Sequence, residues 1–522
     1  MEKPCTKSKK ERYPQNWFNF CSSCMKKEDG YMTVLAAMLF LAVSVMLLVC
    51  LDGSLVYQAK ARAGMAQTGL MEHLLANYNI PLAERYHLYF LDPRMNSQVL
   101  EERGRAYYDE LFGHSSVSSL WKDPIWRIET EYLEAAPYGT MQEKEFQFFI
   151  TQIEDCMKQD LTKDVFLKAL NGAVQETENQ SASLEEAVKK LDRNKPEESS
   201  SNSDDNTLTP SEVAEGEQAG SEVQKNNPLQ KIRSILEHGL LAMVADESEL
   251  SEQKISPSLL PFKNQKGNKI TISMDILKNL DNVSEMLKSQ GIHKLSESLS
   301  DQTMINLYIQ KYFNHYGDSE VMDDTMLLYE VEYILGGQYS DKENLEYVVN
   351  KLILLRFALN ATYAFSNEEL GAQALSMAAV LTGITGTPEF MEAVRYLILA
   401  AVNLLESMRD VKDLLIGDKV PLVKSAADWR TSISGAVKGE TGVRSKGLNY
   451  KEYSLLLLTL QTDKAAKCYR MQNLMQINLQ KTQPEFQIRE CRAGINIRSG
   501  VKVKPMFYLR EYLFKDEQKS AY

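Results

Sequence analysis

Several groups of residues in this 522-residue chain have types and spacings that invite a chemical reading. Cys21-Ser-Ser-Cys24, with Cys5 upstream, carries the two-residue gap of a zinc or dithiol motif. A structural zinc takes four Cys or His ligands, and this stretch offers three cysteines and no histidine. A redox CxxC starts a helix beside a sheet, and the first thirty residues leave no room for one. Reduced thiols are the simpler reading, with palmitoylation the one modification their position suits. The run from Gly435 to Gly447 looks like a phosphate loop. It lacks the four-residue gap followed by Gly-Lys-Ser/Thr that sets a lysine and a hydroxyl on the nucleotide, so it reads as a loop. Asp318, Glu320, Asp323 and Asp324 crowd four acids together without the spacing or central glycine of a calcium loop, and read as a solvated helix start. The six histidines (73, 87, 114, 238, 293 and 315) are widely separated, and neither GxSxG nor HExxH occurs. No catalytic, cofactor-binding or metal-binding residue is nominated, and the chain reads as non-enzymatic.

The elements that would position any site begin with a membrane signal. Residues 1–30 hold Lys3, Lys7, Lys9, Lys10, Arg12, Lys26 and Lys27 against four acids, within a chain of net charge −12 that argues against a nucleic-acid partner. Tyr31–Leu51 then runs without charge or proline. As a helix it covers about 31 Å, the thickness of a bilayer core. Lys26 and Lys27 precede it and Asp52 follows, so the positive-inside rule puts the leader in the cytoplasm and the bulk of the chain outside. The exit Leu48-Val49-Cys50-Leu51 lacks the small residues of a cleaved secretory signal, and Val49 is bulky for lipid attachment at Cys50. A retained anchor at the cell membrane, with the bilayer as its partner, is the reading that remains.

Beyond the anchor the spacing of Val56, Met65, Leu70, Leu74 and Leu75 predicts that the same helix continues toward Asn79, with Ala59, Ala61, Ala63, Gly64, Ala66 and Gly69 on much of the remainder. The expected fold is α+β and predominantly helical, with strands near 86–91, 125–133 and 486–504, a turn at Ser499-Gly500 and helices near 97–112 and 142–170. A membrane-proximal α+β region over 52–170 is followed by 171–228, where 13 acids face five bases among Ser, Asn and Gln; this is read as a disordered linker or insertion. Residues 229–522 form a mainly helical domain with C-terminal strands. Ser340 and Glu343 form a capping box, Ser366 opens a second helix, and Thr387-Pro388 opens a third. The uncharged stretch 370–386 is short for a span and reads as half of a buried hairpin, with a membrane contact as the alternative. Of the thiols placed outside, Cys156, Cys468 and Cys491 cannot all pair in one molecule. A Cys468–Cys491 bridge would tie a helix to the terminal strands.

Asp29-Gly-Tyr-Met-Thr-Val34, the span and the stretch QAKARAGMAQTGLMEHLLANYNIPLAERYHLYFLD resemble the anchor of tight-adherence (Tad) pilus TadE/TadG-like proteins. They are more similar still to Gram-positive, clostridial-type membrane proteins related to them, as are YEVEYILGG at 329–337, LRFALN at 355–360 and KVPLVK at 419–424. The resemblance implies a surface or pilus-assembly role with pilin-like or membrane-assembly partners, and leader cleavage after Gly30. Pilin-type anchors carry a glutamate five residues after that glycine; here the position is Leu35.

Overall fold

A computed structural model describes residues 29–113, 127–158, 227–246, 248, 250–263, 265–268, 272, 295–318, 324–383, 387–434, 447–504 and 510–522. It is α+β and predominantly helical, with one small three-stranded sheet. The basic leader, the acidic tract 171–226 and the Gly-rich run 435–446 lie outside the described residues.

The chain divides into two compact units whose segments interleave: 1–77, 95–138 and 494–521 in one, and 78–94, 139–493 and 522 in the other. The sequence-based boundaries at 170 and 229 therefore do not separate them. Pairing between strands more than 350 residues apart draws the C-terminal residues into the same unit as the N-terminal helix.

In the first unit, helix α1 is continuous from Asp29–Leu75, about 70 Å at 1.5 Å per residue. Its second half buries Ala59, Ala63, Ala66, Leu70 and Leu74, a stripe at three- and four-residue spacing. That stripe packs on α3 (Ser97–Gly113), α2 being the short helix Ile80–Tyr86 of the other unit, and on the sheet. Close approach depends on two glycines. A Cβ at Gly69 would lie 2.5 Å from the Tyr107 hydroxyl, and one at Gly104 would lie 2.8 Å from Leu133. The sheet runs β1 (Arg127–Thr140), β2 (Arg492–Lys504), β3 (Tyr512–Ala521), with β2 and β3 antiparallel from Gly494 opposite Ala521 to Val503 opposite Tyr512.

Two strand expectations change. No turn forms at Ser499-Gly500: the alternation of buried Ile495, Ile497, Ser499, Val501 and Val503 passes straight through. Ser499 holds an inward position because its hydroxyl donates to buried Gln67 and accepts from Tyr108 at 3.4 Å. Gly500 is a place where Tyr132 covers the strand, since a Cβ there would meet the ring at 2.2 Å. The segment 86–91 is likewise not a strand. Tyr86 ends helix α2 (Ile80–Tyr86), His87 caps it in the left-handed region at φ 52°, and only Leu91 makes a bridge.

The second unit is a helical body. Helices α4 (Glu143–Lys158), α5 (Pro228–His238), α6 (Leu240–Val244), α7 (Leu295–Tyr312), α8 (Glu330–Gly336), α9 (Asp341–Ser366), α11 (Pro388–Ile416), α12 (Tyr450–Leu460) and α13 (Lys464–Leu479) surround one large apolar core, while α10 (Glu368–Thr382) packs with the first half of α11 around a smaller second cluster that holds Leu370, Ala374, Val394 and Ile398. Helix α9 is its axis, with Leu345, Val348, Val349, Leu352, Ile353 and Leu355 buried. Ser340 accepts from the Glu343 amide at 3.3 Å and Thr387 accepts from the Phe390 amide at 3.2 Å, as expected of helix starts. Ser366, by contrast, ends α9; the cap of α10 is Asn367, which accepts from the Leu370 amide at 2.8 Å. Helix α10 buries only Leu370, Ala374 and Ala378, so it is a peripheral amphipathic helix on α11 rather than half of a buried hairpin.

Candidate functional site

The most conspicuous surface is the first half of α1. Every residue of Tyr31–Leu51 except half-buried Ser44 is exposed, including Phe40, Met38 and Leu41 at 66–75 %. A contiguous apolar surface of this length is far beyond what water-facing helices carry, and α1 is long and apolar enough to cross a membrane. Asp52, just past this run, is 3 % exposed, and regular burial of one face starts at Ala59. Gly30, the expected cleavage position, is the second residue of α1; the leader lysines and Cys5, Cys21 and Cys24 lie outside the described residues.

The three internal motifs all supply charges to the interior of the second unit. Arg356 and Asn360 of LRFALN, and Lys424 of KVPLVK, meet Glu406 and Asp410 of α11. Arg356 is wholly buried. It donates to Asp410 at 3.0 Å, Asn360 at 2.7 Å, the Tyr453 hydroxyl at 2.9 Å and the Pro421 and Leu422 carbonyls at 2.9 and 2.8 Å. Lys424 bridges Asp410 and Glu406, Arg430 pairs with Asp413, and Glu406 also accepts from the Thr431 amide at 2.9 Å. Burial works to raise the Asp410 carboxyl, but the charges of Arg356 and Lys424 outweigh it and hold it below the usual carboxylate range. The arrangement clamps the irregular segment 419–433 onto α9 and α11.

Glu330 and Glu332 of YEVEYILGG form a second network. Glu330 accepts from the Asn314 amide at 3.0 Å and Asn478 at 2.6 Å; Glu332 accepts from the Tyr316 amide at 3.0 Å and the Tyr450 hydroxyl at 2.6 Å. Burial pushes both carboxyls up to about 7. Asp341, raised by burial, accepts the Leu328 and Tyr329 amides at 3.0 and 3.1 Å. The cations of α13 use helix ends instead. Arg470 donates to the Ile334 and Leu335 carbonyls closing α8, both at 2.7 Å, and Lys467 donates to Asn306 at 3.0 Å and the Leu458 carbonyl near the end of α12 at 3.1 Å. Burial pushes Lys467 down to about 8. Each of these groups has backbone or side-chain partners from elements distant in sequence.

The cysteines, histidines and acids singled out in the sequence are scattered. Cys468 and Cys491 are buried free thiols, so the bridge between them is not formed; packing in the apolar core satisfies both without it, and burial raises the Cys468 thiol to about 12. Cys156 is a free, half-buried thiol 3.4 Å from the Tyr312 hydroxyl. His73 stacks on Tyr107, and His87 faces Tyr312 at 5.3 Å. His315 lies 3.6 Å from Asp318; Glu320 and Asp323 lie outside the described residues. Among the described residues no group of His, Cys, Asp and Glu is placed to hold a metal. Two open clefts lie in the second unit. One, of about 260 Å³, has Asn79, Asp92, Arg94 and Gln483 in its walls. The other, of about 580 Å³, is walled by His87, Tyr89, Gln152, Asp155, Lys311 and Tyr312 among others. The spacing of Glu406, Asp410 and Asp413 on one face of α11 is the signal that could have pointed to the first network, and Asn449-x-x-Glu452 to a full capping box at α12, with bonds of 2.9 and 2.8 Å.

The chain belongs to the DUF5702 family, a family of unknown function whose model matches residues 218–503. No curated protein and no solved structure matches it. The matched stretch contains both buried networks, and α1 lies outside it.

Proposed function

We propose that this is a non-enzymatic, single-pass membrane-anchored surface protein, a component or assembly factor of a Tad-like pilus or secretion-associated structure. In this reading the residues before Tyr31 are cytoplasmic and those after Leu51 are extracellular. The observation that carries it is the division of one unbroken helix: Tyr31–Leu51 offers lipid a fully exposed apolar surface, and the continuation is packed into its own unit. The basic leader and the onset of charge at Asp52 support the orientation, and the resemblance of the anchor to TadE/TadG-like proteins supports the assembly role. Shearing cells and probing surface and membrane fractions tests it. Release together with pilus-like material is the expected result; full retention in the membrane as a lone species overturns the assembly role. Mass spectrometry of the mature N-terminus separates a processed subunit, starting at Tyr31, from a permanent anchor starting at Met1.

A second reading, an extracellular sensor or wall-binding module tethered by the same span, is favoured by the larger cleft. Its aromatic and amide walls suit a sugar or peptide ligand.

A further inference from the structure

We infer that the larger cleft of the second unit, about 580 Å³, is a saccharide site in which His87 and Tyr89 are the rings that a sugar stacks on. It rests on the reading of the extracellular part as a wall-binding module and gives that module a ligand class. From His87 to Phe90 the chain alternates. Leu88 and Phe90 belong to the apolar core, while His87 and Tyr89 are exposed and line the cleft. Extended backbone sets two such side chains about 7 Å apart on one side, a distance that one or two sugar rings cover.

Both rings are fixed in place without being buried. Tyr89 is 44 % exposed. Its amide donates to the Gln152 side chain at 2.7 Å, the Gln152 amide donates back to its carbonyl at 2.6 Å, and its ring meets Tyr78 edge-on at 5.3 Å. His87 closes α2 at φ 52°, a position where glycine is the unstrained choice. A histidine there carries a backbone cost while keeping its ring exposed, so its contribution lies outside the core. Tyr312 backs that ring at 5.3 Å, and Tyr308 backs Tyr312 at 4.7 Å. Aromatic faces ordered in advance lose little freedom when a ligand binds.

The Gln152 bonds also decide between a sugar and a peptide. A peptide would add to an extended segment as a further strand, through main-chain hydrogen bonds. Gln152 already holds both the amide and the carbonyl of Tyr89, which closes that mode. Recognition is left to side chains: the two rings, the Asp155 carboxylate and the Lys311 ammonium. Asp155 is itself paired with Lys158 at 2.9 Å, so opposite charges offset one another here and a neutral, hydroxyl-rich ligand suits the cleft. A sugar hydroxyl donates to a carboxylate and accepts from an ammonium equally well, and the apolar C–H face of the ring lies on an aromatic side chain.

The test uses the full-length protein in lipid nanodiscs, titrated calorimetrically with the β-1,4-linked tetramer of N-acetylglucosamine and mixed separately with purified peptidoglycan sacculi. Saturable binding of the tetramer with a Kd below about 1 mM is expected. Tyr89→Ala should weaken it about fivefold to tenfold, the worth of one aromatic contact, and His87→Gly should do the same. Glycine relieves the left-handed backbone, so the unfolding midpoint of His87→Gly should hold or rise while its affinity falls. A lowered midpoint with affinity unchanged would make His87 a packing residue and overturn its role. No binding of the tetramer, or binding that both variants leave intact, overturns the saccharide site. Sacculi that are still bound in that case leave the wall-binding reading standing without this cleft; sacculi left unbound overturn both.

Discussion

Two helices in this protein, α1 and α9, are each long and apolar enough to cross a membrane. In α1 the most apolar stretch is bare of protein contacts, whereas in α9 it is mostly buried. The polar residues explain the difference. Helix α9 carries Arg356 and Asn360 at its centre, and both find partners only because α11 and the segment 419–433 bring Asp410, Ser407 and two carbonyls to them. Helix α1 has no charged residue between Asp29 and Asp52 and needs no such partners. An apolar helix with a buried charge network belongs to a core; one without polar demands along about 30 Å is suited to lipid.

That contrast can be broken at several points. The largest effect is expected from Asp410→Ala, which leaves the buried Arg356 without a carboxylate and Lys424 with Glu406 alone, and should cost about 3–5 kcal/mol, read as a fall in the unfolding midpoint of the detergent-solubilised protein. Val43→Arg places a charge at the middle of the exposed half of α1. It should disfavour insertion by about 2.5–3.5 kcal/mol and reduce flotation with vesicles, with the unfolding midpoint unchanged; a lowered midpoint would mean that this half packs on protein.

The carboxyls of the second network give a pH signature. Glu330 and Glu332 are raised from 4.5 to about 7 by burial, so the folded state holds protons more tightly than the unfolded state. The stability they contribute is fully present below about pH 4.5 and is lost as pH rises through about 7. Stability should therefore rise on going from pH 8 to pH 5 by about 2–3 kcal/mol for each carboxyl, read as a higher melting temperature, and Glu332→Gln should remove its share of that rise. Asp410 and Asp92, both held low, act in the opposite direction and only below their ordinary value of 3.8. The smallest effect is Gly64→Ala. Nothing lies within 4 Å of a Cβ there, so helix propensity should add about 0.5–1 kcal/mol, whereas Gly69→Ala should destabilise by striking Tyr107.

Much of α1 was legible from residue types, because an uncharged run and a small-residue stripe are local signals. So were the starts at Ser340 and Thr387. The Ser499-Gly500 turn was misread for a physical reason: serine and glycine are turn formers locally, but Gln67 and Tyr132, distant in sequence, give each a use inside a strand. The 86–91 strand failed similarly, since Tyr86 closes a helix capped by Asn79. Glu406, Asp410 and Asp413 share one face of α11 by their spacing, but nothing local says what they pair with, because their partners come from 356, 424 and 430.

By itself the sequence determined the location and length of the apolar segment, the charge asymmetry across it, the helical character of the chain and the helix starts at Ser340 and Thr387. These follow from spacing and composition within about twenty residues. Only the tertiary structure decided which apolar helix is a core, which charges are neutralised inside it, that Cys468 and Cys491 stay apart, and that the last strands join the N-terminal helix. Each of those depends on which groups, distant along the chain, meet in a medium too poor in water to leave a charge or a backbone polar group without a partner.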